Sequence, residues 1–420
     1  MPIRLLNDHR WVHLLLLLLL FLLLVYRYHS FVTVHFAHLH FISEPDVGRL
    51  LYVVLLGAFV MASIFWQNPS PYLHNTSMLF VVLLLFPNMV LHIFMPTNPA
   101  IPAALTLFVV VLRTSFSMIP SGELIPPLNR KHSVLLLLIL TALLMLPVVW
   151  HFRLQLPGRV LLSEPTDLYD VRTGIRHTIP THVMYILGQL SKAVLPAMLL
   201  LGLIIKRYWI TALAILFIGY LFFLTPHKSM LIALIPLLFF AFWKNHTRQM
   251  TWFLALLVGA FIIVIALSYF GIIMPESLLI RRSLFTQAHL THLYFEFFDG
   301  NPVYLSHSFL GIFTEYPYAS PPPFLLGEHY FDTPEMSCNT GLIGDGFMNF
   351  GYPGVVLYIL IATAIFQFID GLSLHPAFFG LTFMVVFHMQ NAYLFTTMVS
   401  HGLLMLLLIM VFVLRKRKVT

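Results

Sequence analysis

The chain has 420 residues, of which 59% are hydrophobic and only 9% are charged. Soluble domains carry roughly 25% charged residues, so this composition excludes a soluble protein with one large core and indicates a membrane protein with many spans. The net charge of +7 does not indicate nucleic-acid binding, because the basic residues are scattered over predicted helix ends and form no basic domain.

Hydrophobic stretches recur along the whole chain, and a span needs about 20 mostly apolar residues. The first stretch has the charged-then-apolar order of a signal peptide without a small-residue cleavage site, so we expect an uncleaved helix. The predicted fold is an all-α polytopic membrane protein, a single integral membrane domain over residues 1–420 with about twelve membrane-spanning helices. The predicted spans are residues 11–27, 48–66, 77–95, 100–118, 133–151, 181–205, 208–224, 228–243, 251–270, 351–369, 376–395 and 400–414.

The charge pattern predicts the orientation of these spans, because cytoplasmic segments of membrane proteins are rich in Lys and Arg. With the N-terminus inside, the inner segments hold twelve basic residues and three acidic ones, and the outer segments hold thirteen acidic residues. Twelve spans return the basic tail RKRK (residues 415–418) to the same side. All six tryptophans also fall at predicted helix ends, where an amphipathic ring prefers to sit.

Two of the predicted outer loops are large, residues 152–180 and residues 271–345. Loops longer than about 15 residues are usually functional or disordered. The second loop is rich in aromatic residues, which argues against disorder. Residues 282–299 show apolar positions at helical spacing beside a polar stripe of His289, His292, Glu296 and Asp299, so we expect an amphipathic helix there.

Basic side chains in the outer segments break the charge rule just where the loops are long. Arginine suits phosphate because its planar fork gives bidentate, charge-assisted hydrogen bonds. We therefore predict a phosphate-binding group there, with ion pairing to acids of the same loops or to lipid head groups as the alternative. The candidates are Arg153, Arg159, Arg172, Arg176, Lys228, Arg281 and Arg282, and Lys192 inside a span is a further contributor.

Candidate bases lie in and after the second loop. His307 stands between two serines and is a candidate general base or a structural histidine. The glycine-dense segment 339–354 contains Asn339 and Asp345, and Asp345 is a second candidate base or a partner for an arginine. Glu296 is a third candidate. His35, His38 and His40 carry no fixed set of further ligands, so we predict no metal and no cofactor.

These segments resemble the bacterial Wzy-type polymerases of O-antigen and other surface polysaccharides. The likeness covers the whole architecture, about twelve spans with enlarged third and fifth periplasmic loops, and local matches occur in order along the chain. In that family an arginine is followed at a set distance by a glycine; Arg172 and Gly188 fit this spacing, whereas Arg281 and Arg282 do not. The matching segments are DLYDVRTGIR (167–176), TPHKS (225–229), RRSLFTQAHLTHLYFEFFDGNPVYLSHSF (281–309) and NTGLIGDGFMNFGYPG (339–354).

The resemblance implies a glycosyltransferase C-like fold and a metal-independent, inverting glycosyl transfer at the periplasmic face of the bacterial inner membrane. Donor and acceptor would be polyprenyl-diphosphate-linked oligosaccharides, with membrane lipid and a chain-length regulator as further partners. Basic side chains would stabilise the leaving diphosphate, a base would take the acceptor proton, and Tyr294 and Phe297 would stack on sugars. The implied roles are His307, Asp345 and Glu296 for proton transfer, and Arg172, Arg176, Lys228, Arg281, Arg282, Tyr294 and Asn339 for substrate.

Three other functions stay open at this point. An O-antigen ligase shares the donor and the two-loop plan but uses lipid A core as acceptor. A transporter or flippase of the lipid-linked oligosaccharide would place charges along a pathway through the spans, whereas the predicted spans hold only Arg113 and Lys192. A membrane acyltransferase would need its histidine in a membrane-buried chamber.

Overall fold

The computed structural model describes residues 2–114, 128–153, 179–224 and 228–415, and all regular structure in these ranges is helical. Described helices overlap every one of the predicted spans. The helices are α1 (Pro2–Arg27), α2 (Val47–Trp66), α3 (Pro71–Phe94), α4 (Ala100–Arg113), α5 (Arg130–Phe152), α6 (Thr181–Ile204), α7 (Tyr208–Leu224), α8 (Lys228–Ala241), α9 (His246–Tyr269), α10 (Thr286–Phe297), α11 (Pro322–Phe331), α12 (Leu342–Gly371), α13 (Phe379–Asn391), α14 (Leu394–Met398) and α15 (Leu403–Ile409).

Seven of the described helices are long and apolar enough to cross a membrane. Apolar side chains on their outward faces stay exposed, as on Phe59 in α2, Leu146 in α5 and Ile263 in α9, because lipid rather than water is their solvent. The chain is therefore a polytopic helical membrane protein. The seven are His9–His35, Val47–Trp66, Pro71–Phe94, Arg130–Phe152, Thr181–Ile204, His246–Tyr269 and Leu342–Gly371.

The chain forms two compact units. Unit 1 comprises residues 1–117, 246–367 and 389–394, and unit 2 comprises residues 118–245, 368–388 and 395–420. Helix α3 is almost wholly buried within unit 1. Ser70 caps its start by accepting a hydrogen bond from the Leu73 amide (3.1 Å), and Pro71 occupies the first turn, where a missing N–H costs nothing.

Arg113 at the end of α4 is buried in unit 1, because a charged residue within a span is costly in lipid. Its guanidinium donates to the Ser63 and Ile64 carbonyls in the last turn of α2 and thereby neutralises that helix terminus. It also contacts the Nδ1 atom of His74 (3.1 Å). His74 Nε2 lies 3.0 Å from His13 Nδ1, and His13 Nε2 lies 2.8 Å from the Thr251 hydroxyl.

Stretches of π-helix interrupt the described helices at five places. Such wide turns are rare and frequently mark functional sites. The longest, Ser277–Phe285, follows a short turn at Met274–Glu276 and leads directly into α10. The others are Tyr28–Val32, Val81–Leu85, Leu190–Val194 and Met410–Leu414.

The segment predicted as a large outer loop, residues 271–345, contains the π-helix Ser277–Phe285, α10 and α11. The predicted amphipathic helix exists as the π-helix and α10, but its apolar face packs inside unit 1. His289, expected on the polar stripe, is also buried, because Phe41 covers it with ring centroids 4.9 Å apart.

The glycine-dense segment 339–354 is largely helical, since α12 begins at Leu342 and runs through it. The helix bends where Phe350 has φ −140° and Gly351 has φ +63° and ψ −149°, a conformation open only to glycine. Pro353 follows and cannot donate a helical hydrogen bond. The first part of α12, which carries Asp345, is thus set at an angle to the part that spans the membrane.

Candidate functional site

The two arginines that open the second large segment lie on the π-helix Ser277–Phe285. Arg281 donates from Nε to the Ser277 hydroxyl (3.1 Å), and its guanidinium stacks 4.2 Å above the Phe36 ring. Arg282 is exposed. Neither arginine forms an ion pair with a carboxylate of the described residues, so both charges are free to meet an anion.

A buried ion pair fixes the start of this π-helix. Arg27 at the end of α1 donates from Nε and Nη2 to the two carboxylate oxygens of Glu276, at 2.5 and 2.8 Å. The exposed fractions of the two side chains are 4% and 0%. The rings of Tyr26, Phe31 and Tyr269 surround the guanidinium at 5.1 to 5.5 Å. Sequence reasoning missed this pair, although Glu276 is the acid nearest in the chain to Arg281.

A second group forms around Tyr393 and Leu394, between α13 and α14. The Tyr294 hydroxyl on α10 donates to the Cys338 carbonyl (3.0 Å), so in its 2.6 Å contact with the Tyr393 hydroxyl Tyr393 is the donor. Burial raises the pKa of the Tyr294 phenol, which keeps that proton in place. Tyr294 is fully buried and has no exposed ring face. Its predicted role in stacking on a sugar therefore stays a prediction.

Asp345 joins the same group from the start of α12. Its Oδ2 atom accepts from the Leu394 amide (2.6 Å), and its Oδ1 atom accepts from the Asn349 side chain (2.8 Å). Asp345 is 1% exposed. Its carboxylate therefore holds the Tyr393–Leu394 segment against α12, and its predicted role as a base is untested.

His307 approaches this group from the connection between α10 and α11. The backbone of Val303 and Tyr304 donates to the Met348 and Asn349 carbonyls (2.9 and 3.1 Å), which ties the connection to α12. The His307 ring then lies 5.4 Å from the Tyr393 ring, between centroids, and its Nδ1 atom is buried without a hydrogen-bond partner in the described residues. Burial lowers the pKa of His307 to about 4, so the imidazole is neutral at neutral pH.

The other predicted residues lie elsewhere or outside the described ranges. Glu296 is exposed on α10, with a carboxylate oxygen 3.7 Å from the His292 Nε2 atom. Asn339 is exposed and donates to the Ser337 hydroxyl (3.1 Å). Arg159, Arg172 and Arg176, between α5 and α6, lie outside the described residues, as does the side chain of Lys228. Arg153 directly follows α5 and caps its end with φ +49°.

Tyr393, which contacts two of the predicted residues, was not found from the sequence. Tyr393 follows a hydrophobic stretch, and its position is typical of a tyrosine at the end of a span. The nearby Asn391 is the sequence signal that indicated a polar turn there. No group of three or more His, Cys, Asp or Glu side chains suited to a metal occurs in the described part of the chain.

Comparison of the chain with protein-family models, with curated proteins and with solved structures finds no match. The class that fold and composition define is therefore a polytopic helical membrane protein, with a basic π-helix and a tyrosine–histidine–aspartate group in unit 1.

The burial of His307 predicts an acid sensitivity. An unfolded histidine binds its proton near pH 6.5, whereas folded His307 does so only near pH 4. Between these values the unfolded state binds more protons, so the contribution of His307 to stability is lost as the pH falls from about 6.5 to about 4. We expect the His307→Gln variant to lose less thermal stability than the parent between pH 7.5 and pH 4.5. Equal losses in both proteins, measured by unfolding midpoints, would contradict this. Buried His289 is present in both proteins, so its contribution cancels in the comparison.

Proposed function

We propose that this protein polymerises polyprenyl-diphosphate-linked oligosaccharide repeat units into O-antigen or a related surface polysaccharide at the periplasmic face of the bacterial inner membrane. The observation that carries the proposal is the pair Arg281 and Arg282, which has no carboxylate partner in the described residues and lies on an unusually long π-helix. Unpaired guanidinium groups beside an apolar helix bundle suit the head group of a lipid diphosphate.

The proposed topology has about twelve spans, with both termini in the cytoplasm. Support comes from the described helices, which overlap each predicted span, and from the inner position that the charge pattern gives to the basic tail. In this topology the π-helix, α10 and α11 belong to the periplasmic side, where lipid-linked units are exposed after export.

The proposed reaction is an inverting displacement. A hydroxyl oxygen of the acceptor unit bonds to the anomeric carbon of the donor glycan, and the bond from that carbon to the lipid diphosphate breaks. The acceptor proton passes to a base, for which we propose His307, because its neutral imidazole has an unpartnered nitrogen. Asp345 and Glu296 are the alternatives. Negative charge grows on the leaving diphosphate, and fixed arginines stabilise that charge most in the transition state.

The remaining binding roles follow from the same proposal. Arg172, Arg176 and Lys228 would add positive charge to the diphosphate site, and Asn339 would bind glycan hydroxyls from its exposed position. Tyr294 would support the site through its hydrogen bond with Tyr393. The proposed reaction uses no cofactor and no metal.

Deletion of the gene in its host tests the proposal, with the surface polysaccharide analysed on a silver-stained gel. We expect single repeat units on the surface lipid in place of a ladder, because export and attachment continue while polymerisation stops. Long polymer that accumulates on the lipid carrier would instead indicate a ligase. Repeat units that accumulate at the cytoplasmic face would indicate a transporter and would refute the proposal.

A further inference from the structure

Unit 2 contains a lysine inside a helix that is apolar enough to span a membrane. Lys192 lies on α6 within the π-helix Leu190–Val194 and is partly buried. No hydrogen bond or ion pair links its ammonium group to another side chain of the described residues. Ionisable groups within spans are costly and commonly mark a binding site or pathway. We therefore expect the Lys192 side chain to bind a ligand or a partner.

Two histidines lie close enough to Lys192 to interact with it electrostatically. His388 comes from α13 and His401 from the turn between α14 and α15, and their ring centroids are 4.7 Å apart. The Nε2 atom of His388 and the Nδ1 atom of His401 are buried without hydrogen-bond partners in the described part of the chain. Three nitrogen bases thus lie near one another, and no carboxylate of the described residues is bonded to any of them.

Close backbone packing holds the histidine turn on α6. The Gln189 side chain donates to the Val399 carbonyl at 3.5 Å. A Cβ atom at Gly188 would lie 2.1 Å from the Ser400 carbonyl oxygen, so only glycine permits this approach. Gly402, at φ +74°, also packs against α6, because a Cβ atom there would be 3.1 Å from that of Ala193. The basic group is therefore built by the fold rather than by flexible surface side chains.

We infer that Lys192, His388 and His401 bind the phosphoryl group of a lipid-linked diphosphate. Lysine is a compact cation that binds phosphate as a point charge, and histidine N–H groups add directed donors. Each of the three residues keeps part of its surface accessible. We assign a lipid-linked diphosphate because the helix that carries Lys192, α6, is long and apolar enough to cross a membrane.

The role of this site rests on the proposed function. A polymerase joins two substrates that each carry a lipid diphosphate, whereas the arginines of unit 1 account for one. The group of Lys192, His388 and His401 then supplies the second diphosphate-binding site, so that each unit of the protein binds one lipid-linked substrate.

Equilibrium dialysis of the full-length protein in phosphatidylcholine nanodiscs tests the inference, with radiolabelled farnesyl diphosphate as the probe. We expect two molecules bound per chain. Lys192→Met should weaken one of the two sites by about tenfold or more, as loss of a hydrogen-bonded charge does. The double variant H388N/H401N should weaken the same site while keeping the lysine. Lys131→Met, an exposed lysine at the start of α5, is the matched control and should retain both sites.

The outcomes separate this inference from the proposed function. Two sites retained in Lys192→Met and in the histidine variant would overturn the inference. One site lost in these variants, with none lost in R281A/R282A, would support the inference and overturn the diphosphate role of the unit 1 arginines. Inorganic pyrophosphate that competes as well as farnesyl diphosphate would overturn the lipid assignment, since a free phosphate would then be the ligand.

Discussion

The Arg282→Ala variant is expected to form surface polymer about 100-fold more slowly than the parent protein, or not at all, while remaining folded. Arg282 is exposed and has no ion pair in the described residues, so its removal breaks no contact that holds the helices together. In the proposed reaction its guanidinium stabilises the leaving diphosphate, and loss of one such donor typically costs a factor of about 100 to 1,000 in rate.

Two further variants make this result specific. Arg282→Lys keeps the charge but loses the planar fork, so we expect intermediate activity. Arg130→Ala removes an exposed arginine at the start of α5, on the proposed cytoplasmic side, and should leave the polymer ladder unchanged. If Arg282→Ala restores a full ladder in the deletion strain at a normal protein level, Arg282 has no role in the reaction.

Replacement of Glu276 by alanine is expected to cost about 3–5 kcal/mol of stability, because it leaves the Arg27 guanidinium buried without its carboxylate. Both partners are almost fully buried, and the carboxylate accepts two hydrogen bonds from the guanidinium, which Glu276→Ala removes. The π-helix should lose its anchor as well, so activity should fall even at temperatures where the protein remains folded. Thermal unfolding in detergent, followed by size-exclusion chromatography, measures the first effect.

The double variant R27M/E276M separates a buried charge from a lost contact. If the unpaired arginine causes the damage, the apolar pair should recover most of the stability, since well-packed hydrophobic residues often replace a buried ion pair without loss. The pair His292–Glu296, whose carboxylate is exposed, is the control: Glu296→Gln should change stability by less than about 1 kcal/mol. A double variant no more stable than Glu276→Ala would mean that the two side chains are needed for their shape and hydrogen bonds.

Helix positions could be predicted from the sequence because hydrophobic length alone determines where a chain can cross a bilayer. The interior location of Arg113 followed from the same physics, since lipid does not solvate a guanidinium. The apolar face of α10 was found from its helical spacing and is indeed buried. What that face packs against could not be predicted, because periodicity shows that a surface is covered but does not distinguish protein from lipid.

The features that could not be predicted from the sequence depend on contacts between segments that are distant in the chain. Tyr294 and Tyr393 are 99 residues apart, and no local pattern pairs two hydroxyl groups over that distance. The meeting of Lys192 with His388 and His401 depends likewise on how a turn packs against a helix. His289 was misplaced for a related reason: helical spacing put it on the polar stripe, but Phe41 from a preceding segment covers that position.

The arginine at the end of α4 gives a direction to a chain of hydrogen bonds through unit 1. A guanidinium only donates, so the Nδ1 atom of His74 must accept and the ring proton of His74 lies on Nε2. His13 then accepts at Nδ1 and donates from Nε2 to Thr251, whose hydroxyl donates to the Thr247 carbonyl (3.0 Å). Both imidazoles are thereby locked into a single tautomer. The four helices α4, α3, α1 and α9 are joined by dipoles that all point one way, and this polarity cannot reverse while Arg113 stays in place.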